Sequence, residues 1–363
     1  MTKYLLAGGG TAGHVNPMLA VADRIIAREP GAVILVLGTA EGLESRLVPA
    51  RGYTLLVVPR VPFPRRPNTA ALRFLGRFTR LVAQIRGLIR EHRIDVVVGF
   101  GGYVSAPAYL AAHRESVAIA IHEANARPGM ANRMGARLTR FVGTAFQSAR
   151  LPHARFVGMP LRREIEALNR PAQRREALQF FGLAPSRPTL LVTGGSQGAK
   201  HINETVNAAA AMIIGSGWQI LHVTGDRSKL PPTELAHYVL MPYCDRMDLA
   251  IAAADLAVAR AGAATVSEFS ALGVPAVYVP LSVGNGEQRL NARDVVAAGG
   301  AVVVENAQFT PRWILETLVP LLDDRALIAA MGARTLSIGV LDGADRMVDL
   351  VEDALASRLD LTT

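Results

Sequence analysis

Short, mainly apolar segments alternate with helical patterns along most of the chain. Segments bounded by glycine, proline or polar residues predict strands at 4–7, 33–37, 54–58, 95–99, 117–121, 189–193, 219–224, 238–241, 256–259 and 276–279. Between them, apolar positions recur with helical spacing. This alternation of strands and helices predicts an α/β protein built on parallel sheets.

Two of the predicted strands run into a glycine-rich turn and then a helix. These turns span Gly8 to His14, which formally matches G-x-G-x-x-G, and Gly194 to Gly198. Either turn would suit phosphate or tight helix packing, so neither alone identifies a dinucleotide site. Because the turns lie about half a chain apart, they predict two Rossmann-like domains facing a cleft. We place these domains at residues 1–160 and 161–340, and expect a final helix, 341–359, to pack back on the first.

A third strand–turn–helix element runs from Asp255 to Glu268. Unpaired amides at a helix start attract phosphate, and the small residues Gly262, Ala263 and Ala264 would let an anion approach the backbone. Glu268, just inside the helix, could accept both hydroxyls of a ribose. The alternative is an acid that complements the helix dipole, so the nucleotide site remains a hypothesis at this point.

Polar residues follow several predicted strands. The carboxyl ends of parallel strands meet at one edge of a sheet, where ligands bind, which makes His14, His122, Glu123 and Asn125 candidates. His14 could contact a phosphate or sugar or act as a polar cap. His122 and Glu123 could be acid/base groups or loop organisers, and the sequence does not separate these roles. The loop that enters a helix at Glu287 carries amide and carboxyl groups suited to sugar hydroxyls.

The chain as a whole is basic and contains a single cysteine. The formal net charge is +9, and all but three of the 39 basic residues are arginine. Cys244 excludes an internal disulfide and any multi-cysteine metal site. No segment predicts a transmembrane span.

The arginines are concentrated between Arg60 and Arg93, where nine stand against one acid. Here a proline-rich loop carries Phe63, and a predicted helix has Phe74 and Phe78 on an apolar face. One interpretation is a surface helix whose apolar face covers the sheet. The other, which this pattern favours, is contact with an anionic membrane surface, through the residues Phe63, Arg73, Phe74, Arg77 and Phe78.

Six motifs follow one another along nearly the whole chain: Gly-Gly-Gly-Thr-Ala-Gly-His, Gly-Gly-Tyr-Val-Ser, His-Glu-Ala-Asn, Gly-Gly-Ser-Gln-Gly-Ala, Arg-Ala-Gly-Ala-Ala-Thr-Val-Ser-Glu and Glu-Gln-Arg-Leu-Asn-Ala. In this order the set resembles the MurG family of peptidoglycan N-acetylglucosaminyltransferases. The resemblance implies a GT-B fold that transfers GlcNAc, with inversion, from UDP-GlcNAc to lipid I and forms the β1→4 disaccharide of lipid II. The C-terminal domain would bind UDP-GlcNAc, and the N-terminal domain would bind the lipid acceptor and the membrane.

The resemblance also implies a place and partners. The protein would be peripheral on the cytoplasmic face of the bacterial cell membrane. Its partners would be UDP-GlcNAc, lipid I, an anionic membrane surface and other cell-wall and division proteins, without nucleic acid.

Individual residues acquire roles from the same resemblance. Contacts to the donor are implied for Thr11, Ala12, Gly13, Asn125, Arg162, Ser196, Cys244, Ala263, Ala264, Thr265, Val266, Ser267, Glu268 and Gln288. Of these, Glu268 would hold the ribose, Gln288 and Asn125 the GlcNAc, and the backbone near Cys244 the uracil. The chain departs from the family pattern at three positions, which are Ala12, Met159 and Glu287.

Inverting transfer needs a base for the acceptor hydroxyl and neutralisation of the leaving diphosphate. His14 is the first candidate for the base or for acceptor contact, and Glu123 is the second. Arg162, the Ser196 loop and the helix start at Ala263 could neutralise the diphosphate. No Asp-x-Asp, the usual metal–diphosphate motif of the other major glycosyltransferase fold, occurs in the chain, so we expect neither a metal nor a tightly bound cofactor.

Other functions fit parts of the pattern. A UDP-sugar 2-epimerase or a glycolipid glycosyltransferase would share the fold and differ in acceptor dependence and product. A basic nucleic-acid-binding protein would require interleaved exposed aromatics that the basic segment lacks. An oxidoreductase needs only one glycine turn of this kind, and a catalytically dead scaffold would have no need for Glu268 and both glycine turns.

Overall fold

The computed structural model describes residues 1–63, 69–195, 198–228, 230–281 and 286–359, excluding the side chains of 69–73 and 359. The chain forms two compact units, which are Met1–Arg162 together with the segment from Leu341 onward, and Arg163–Val340. Each unit contains one parallel sheet with helices beside it. The predicted α/β fold with two Rossmann-like domains is thus confirmed.

The first unit has a seven-stranded sheet in the order β3-β2-β1-β4-β5-β6-β7. Its strands are β1 (Lys3–Gly8), β2 (Val33–Gly38), β3 (Thr54–Val57), β4 (Val96–Gly101), β5 (Ala118–Glu123), β6 (Val142–Thr144) and β7 (Ala154–Phe156). Its helices are α1 (Ala12–Arg28), α2 (Glu44–Ala50), α3 (Thr69–His92), α4 (Ser105–Arg114), α5 (Met130–Gly135) and a C-terminal helix (Gly343–Leu359). The strand order reverses between β1 and β4, which makes this the switch point of the sheet.

The two faces of this sheet bury alternate residues of the same strands. On β1, Tyr4 and Leu6 join a core cluster with α1 and the C-terminal helix. Leu5 and Ala7 join a second cluster with α3 and α4. The strands are therefore apolar on both faces, which explains their near-continuous hydrophobic sequence.

Ion pairs and close packing hold the C-terminal helix on the first unit. Arg28 on α1 donates to Asp345 at 2.7 Å and to Asp349 at 2.6 Å. At the start of the helix, a Cβ on Gly343 would lie 2.4 Å from the carbonyl oxygen of Met159, so only glycine fits there. The C-terminal helix thus packs on the sheet of the first unit.

The second unit has a six-stranded sheet in the order β10-β9-β8-β11-β12-β13, with its switch point between β8 and β11. Its strands are β8 (Thr189–Thr193), β9 (Gln219–Val223), β10 (Tyr238–Met241), β11 (Leu256–Ala259), β12 (Ala276–Tyr278) and β13 (Ala301–Val303). Its helices are α6 (Arg163–Glu166), α7 (Arg170–Phe180), α8 (Lys200–Gly215), α9 (Met247–Ala253), α10 (Ala263–Ala271), α11 (Glu287–Asn291), α12 (Arg293–Ala297), α13 (Pro311–Trp313), α14 (Val319–Asp323) and α15 (Arg325–Ser337), with a π-helical segment, Ile314–Leu318, before α14.

Every strand expected from the sequence is present within one or two residues of its expected bounds. The sequence patterns did not predict β6, β7 and β13, which are three residues long each. Such short strands lack the length that a periodic pattern needs. Across the part of the chain that the structure describes, no helix is long and apolar enough to cross a membrane.

Candidate active site

Three loops of the first unit meet at the carboxyl edge of its sheet, because β1, β4 and β5 are neighbours. Gly8 at the end of β1 pairs with Gly101 at the end of β4. Gly102 has a φ of +88°, and a Cβ there would lie 2.7 Å from the carbonyl oxygen of Gly9. The two glycine turns therefore contact each other through backbone, as residues with side chains could not.

His14 lies in the first turn of α1, next to the contact between the two glycine turns. Its Nδ1 lies 3.2 Å from the carbonyl oxygen of Gly9 and 3.3 Å from Oγ1 of Thr11. Because a carbonyl oxygen only accepts, Nδ1 carries the proton and Nε2 carries the lone pair in the neutral ring. A Cβ on Gly101 would lie 3.1 Å from this Nε2, so the second glycine turn also gives the imidazole its space.

A buried carboxylate, Glu44, supports the first glycine turn. Its side chain is fully buried. Oε2 accepts from the backbone N–H of Gly10 at 2.9 Å, and Oε1 accepts from both N–H and Oγ1 of Thr39 at 2.9 Å. Burial raises the pKa of this carboxyl, but the hydrogen bonds outweigh it and hold the pKa below its usual value. Sequence reasoning missed Glu44 because nothing in its local pattern distinguishes it from a surface acid.

Glu123, at the end of β5, is 2 % exposed and organises the third loop. Its carboxylate accepts from the backbone of Asn125 at 2.9 Å and of Gly129 at 3.0 Å, and from the side chain of Asn132 at 3.0 Å. Burial raises the pKa of Glu123 against the opposing effect of these bonds. The carboxylate oxygens are thus occupied by the loop that they hold.

His122 is fully buried beside Glu123. Its Nε2 donates to the carbonyl oxygen of Gly158 at 3.0 Å. Burial, with a contribution from the charge of His14, lowers the pKa of His122 to about 4. The ring is therefore neutral near pH 7 and acts as a fixed donor.

The first unit thus brings together Thr11, Ala12, Gly13, His14, Glu123 and Asn125 at one edge of its sheet. A Cβ on Gly101 would lie 3.1 Å from Nε2 of His14 and 3.7 Å from Nδ2 of Asn132, the partner of Glu123, so the first and third loops approach the same glycine. Asn125 is half-buried, and the backbone bond to Glu123 fixes its position. Met159, one of the departures from the family pattern, is 2 % exposed and packs near the C-terminal helix.

The second unit places its donor candidates around its own switch point. The predicted residues Ala263, Ala264, Thr265, Val266, Ser267 and Glu268 form the first turns of α10. The N-cap residue of α10 is Gly262, which has no side chain to cap the first amides of the helix. A helix start of this kind can bind phosphate.

Helix α11 is fastened to the same region. Gln288 Oε1 accepts from the backbone of Leu281 at 2.9 Å, and Asn291 donates to the carbonyl oxygen of Ala261 at 3.3 Å. Arg260 donates from Nη1 to the carbonyl oxygen of Val279 at 2.9 Å. The ends of β11 and β12 and the start of α11 therefore form one connected edge.

The remaining predicted residues are Cys244, Arg162, Ser196 and Glu287. Cys244 is 8 % exposed, and burial raises the pKa of its thiol to about 11, so it is a neutral group. Arg162 is half-buried at the end of the first unit. Ser196 lies outside the described residues. Glu287 is the first residue of α11. No cluster of three or more metal-ligating side chains occurs in the described ranges.

The predicted membrane segment has a core face and an exposed face. Phe74 and Phe78 are half-buried and pack against the core of the first unit. Phe63 is 56 % exposed and meets Phe74 edge to face, with 5.1 Å between ring centroids. Arg77 is exposed, whereas the side chain of Arg73 lies outside the described residues.

Comparison with known proteins identifies the family. Residues 4–144 match the glycosyltransferase family 28 N-terminal domain, and residues 189–347 match its C-terminal domain. A relative from Leifsonia xyli subsp. xyli is 62 % identical over 98 % of this chain and 100 % of its own length. It is named UDP-N-acetylglucosamine--N-acetylmuramyl-(pentapeptide) pyrophosphoryl-undecaprenol N-acetylglucosamine transferase. A relative of the same name from Clavibacter sepedonicus is 60 % identical over 99 % of this chain and 98 % of its own length.

A solved structure shows the same fold over the full length. The crystal structure of Acinetobacter baumannii MurG matches with a TM-score of 0.80 and 26 % identity, covering 97 % of this chain and 100 % of that one. Two Rossmann-like units, each with a parallel sheet, are typical of the GT-B glycosyltransferases, and the protein is an enzyme of this class. The chain belongs to glycosyltransferase family 28 and, within it, to the MurG family of N-acetylglucosaminyltransferases.

Proposed function

We propose that the protein transfers GlcNAc from UDP-GlcNAc to the 4-hydroxyl of the MurNAc residue of undecaprenyl-diphospho-MurNAc-pentapeptide, lipid I. The product is the β1→4 disaccharide of lipid II, a precursor of peptidoglycan. The observation that carries this proposal is full-length identity of 62 % to a relative named for transfer to this lipid. The loops at the switch points of the two units would supply the side chains that such a transfer requires.

The second unit would bind the donor. The amides at the start of α10 would hold the diphosphate, together with Arg162 and Ser196. Glu268 would accept the ribose hydroxyls, and the backbone near Cys244 would meet the uracil. Gln288, whose position is fixed through Leu281, would meet the GlcNAc hydroxyls. UDP-GlcNAc is then a substrate that enters and leaves, rather than a resident cofactor.

The first unit would supply the base and the acceptor site. In an inverting transfer the acceptor hydroxyl attacks the anomeric carbon from the face opposite UDP, the bond to UDP breaks, and a base takes the hydroxyl proton. His14 suits this role because its Nδ1–H is committed to Gly9, which leaves the lone pair on Nε2. Thr11, Ala12 and Gly13 beside it would line the sugar and phosphate.

We assign Glu123 a positioning role in this reaction. Its oxygens accept three hydrogen bonds within their own loop, and this arrangement fixes the backbone of Asn125. Asn125 would then reach the GlcNAc. A base that had to take a proton would break bonds that hold the loop together, so His14 is the better candidate.

A membrane-bound acceptor calls for a membrane-facing surface. We propose that the exposed side chains around the start of α3, which are Phe63, Leu75, Arg77 and Arg80, contact an anionic bilayer. Phe74, which contacts both Phe63 and Phe78, would hold Phe63 in place, and Arg73 would add to the positive charge of this surface. The protein would then work as a peripheral protein at the cytoplasmic face of the cell membrane, alongside other proteins of cell-wall synthesis, cell shape and cell division.

The test is UDP release from UDP-GlcNAc with and without a lipid I analogue, with the product linkage determined by mass spectrometry and NMR. Acceptor-dependent release with a β1→4 disaccharide supports the proposal. His14→Ala should abolish transfer and retain UDP-GlcNAc binding, with His113→Ala, an exposed histidine of the same unit, as the control. Release or epimerised sugar without acceptor would contradict the proposed transfer.

A further inference from the structure

The peptide group that joins Gly9 to Gly10 is hydrogen-bonded on both of its edges. Its N–H, on Gly10, donates to Oε2 of Glu44 at 2.9 Å. Its carbonyl, on Gly9, accepts from Nδ1 of His14 at 3.2 Å. A single planar amide therefore connects a buried carboxylate to the imidazole that we propose as the base.

The surrounding geometry makes this connection specific. A Cβ on Gly9 would lie 2.5 Å from Oε1 of Glu44, so the carboxylate packs directly on the Cα of Gly9. Gly10 has a φ of +87°, a left-handed conformation that turns its N–H toward Glu44. Both glycines are required for the contact, which gives a structural reason for the first part of the glycine-rich turn.

Glu44 is suited to act on this amide through charge. It is fully buried, and the hydrogen bonds from Gly10 and Thr39 favour its ionised form. Hydrogen bonds in a chain polarise one another, and the effect is larger where water is excluded. A carboxylate on the N–H edge makes the carbonyl on the opposite edge a stronger acceptor.

We infer that Glu44 is a positioning residue for His14, acting through the Gly9–Gly10 peptide to hold the Nδ1–H tautomer and to strengthen Nε2 as a proton acceptor. This inference rests on the proposed role of His14. It resembles in logic the carboxylate that orients the histidine of a hydrolase triad, with one peptide group inserted between the two side chains.

Other charged groups face these two residues and must be separated from the effect. Glu41, Arg60 and Tyr103 line the surface pocket beside Gly10 and Glu44, and the Arg60 guanidinium lies 4.7 Å from the centroid of the Tyr103 ring. His122 and Glu123 lie on β5, at the same edge of the sheet as His14. Glu41 is exposed and offers a control for long-range charge, because Glu41→Gln removes the same charge without touching the peptide.

The first experiment is ¹⁵N NMR of His14 in the full chain, comparing the native protein with Glu44→Gln and Glu41→Gln. Loss of the Glu44 charge should shift the His14 titration midpoint to lower pH and reduce the Nδ1–H tautomer. Glu41→Gln should leave the tautomer unchanged. An unchanged tautomer and midpoint in folded Glu44→Gln, or equal changes in both variants, would overturn the inference. These readouts need no substrate, so they decide the role of Glu44 even if the proposed transfer fails.

A second measurement covers the case in which Glu44→Gln does not fold. In the native protein the amide resonance of Gly10 should move in step with the protonation of His14, since both belong to one hydrogen-bonded chain. Thr39→Val, which removes a bond to Oε1 and leaves the Gly10 bond in place, should preserve this coupling. A Gly10 amide that does not respond to His14 in either protein would overturn the inference without any Glu44 variant.

The kinetic prediction separates positioning from donor binding. Removing an outer-shell partner of a metal-ligating histidine commonly costs about 10- to 100-fold in affinity or activity, and we take this as the scale for an imidazole held through one peptide group. We expect Glu44→Gln to lower kcat by about this factor and to move the acid limb of its pH profile, with KM for UDP-GlcNAc unchanged. A proportional rise in that KM with an unmoved pH profile would show only a collapsed loop and would overturn the inference.

Discussion

The side-chain amide of Asn132 donates to Oε2 of Glu123 at 3.0 Å and, from the same nitrogen, to the carbonyl oxygen of His122 at 3.1 Å. Tyr109 in turn donates to Oδ1 of Asn132 at 2.7 Å. The loop after β5 is thus held by a buried polar network whose members are all oriented by their partners. Such a network fixes one loop conformation and tolerates little substitution.

Replacing Glu123 by glutamine should therefore weaken this loop. The new amide group would turn an N–H toward one of the donors on Asn125, Gly129 or Asn132, which leaves buried groups unpaired. We expect a loss of about 1–3 kcal/mol in the free energy of unfolding. Hydrogen exchange of the loop amides and urea unfolding measure it, with the exposed Glu91→Gln as the control.

The same variant distinguishes positioning from base catalysis. If Glu123 positions Asn125, Glu123→Gln lowers kcat and leaves the pH dependence of kcat in place, because the proposed base, His14, is unchanged. Loss of the acid limb of that profile would instead identify Glu123 as the base and contradict our assignment.

His222 should make the second unit sensitive to acid. It is fully buried on β9, with Nδ1 2.8 Å from the Tyr238 hydroxyl and Nε2 3.1 Å from Oδ1 of Asn203. Burial lowers its pKa to about 3 in the folded protein, against about 6.5 in an unfolded chain. The unfolded state therefore binds the proton first, and stability that is present above about pH 6.5 is lost as the pH falls toward about 3.

Within that pH window, the free energy of unfolding should fall by about 1.4 kcal/mol for each pH unit. His222→Gln should flatten it, whereas the exposed His113→Ala should not. Both tryptophans, Trp218 and Trp313, lie in the second unit, so their fluorescence during urea unfolding at each pH reports this unit alone. Parallel slopes in the native protein and His222→Gln would mean that other groups dominate the acid response.

Much of the fold was predictable because it depends on local patterns. Strand β8 and strand β11 occur at their predicted bounds, since each is an apolar run closed by a glycine turn. The role of Glu44 was not predictable, because its burial depends on how α2 approaches the first glycine turn. Phe74 illustrates a partial success, since helical spacing identified its apolar face and offered packing on the sheet as one of two interpretations, but did not decide between them. The strands depend on local sequence and could be predicted, whereas the burial of Glu44 and Phe74 depends on packing between elements that are distant in the sequence.

Arg170 should stabilise the second unit by joining the ends of two helices. Its guanidinium donates to Ile251 O at 3.3 Å near the end of α9, and to Leu272 O at 2.7 Å and Gly273 O at 3.1 Å after α10. Helix ends leave carbonyl groups unpaired, and a buried cation there satisfies them and complements both dipoles. Burial lowers the pKa of Arg170 to about 10, which still leaves it charged near pH 7.

Arg170→Ala should lower the free energy of unfolding by about 3 kcal/mol, because several buried carbonyl groups lose a charged donor together. Arg170→Lys should recover only part of this, since one ammonium cannot reproduce the planar fork. Tryptophan fluorescence during urea unfolding measures the effect. Arg175→Ala, an exposed change on the same helix, is the control, and an equal loss in both variants would contradict the capping role.

Leu75 offers the cleanest test of membrane contact, because it is 67 % exposed on α3 while Phe74 and Phe78 are half-buried. Leu75→Ser removes apolar surface that would enter the bilayer and should leave the core intact. We expect about tenfold weaker binding to vesicles that contain anionic lipid, which corresponds to about 1.4 kcal/mol.

Charge gives the second arm of the same test. Arg77→Gln should also weaken binding, by about 1 kcal/mol, and the effect should shrink as salt rises. Leu315→Ser, which changes a leucine 52 % exposed in the second unit, is the matched control. If Leu75→Ser and Leu315→Ser weaken binding equally, or if neutral and anionic vesicles bind alike, the start of α3 is not the contact surface. A selective loss with Leu75→Ser would instead connect the arginine-rich segment to a lipid acceptor that never leaves the bilayer.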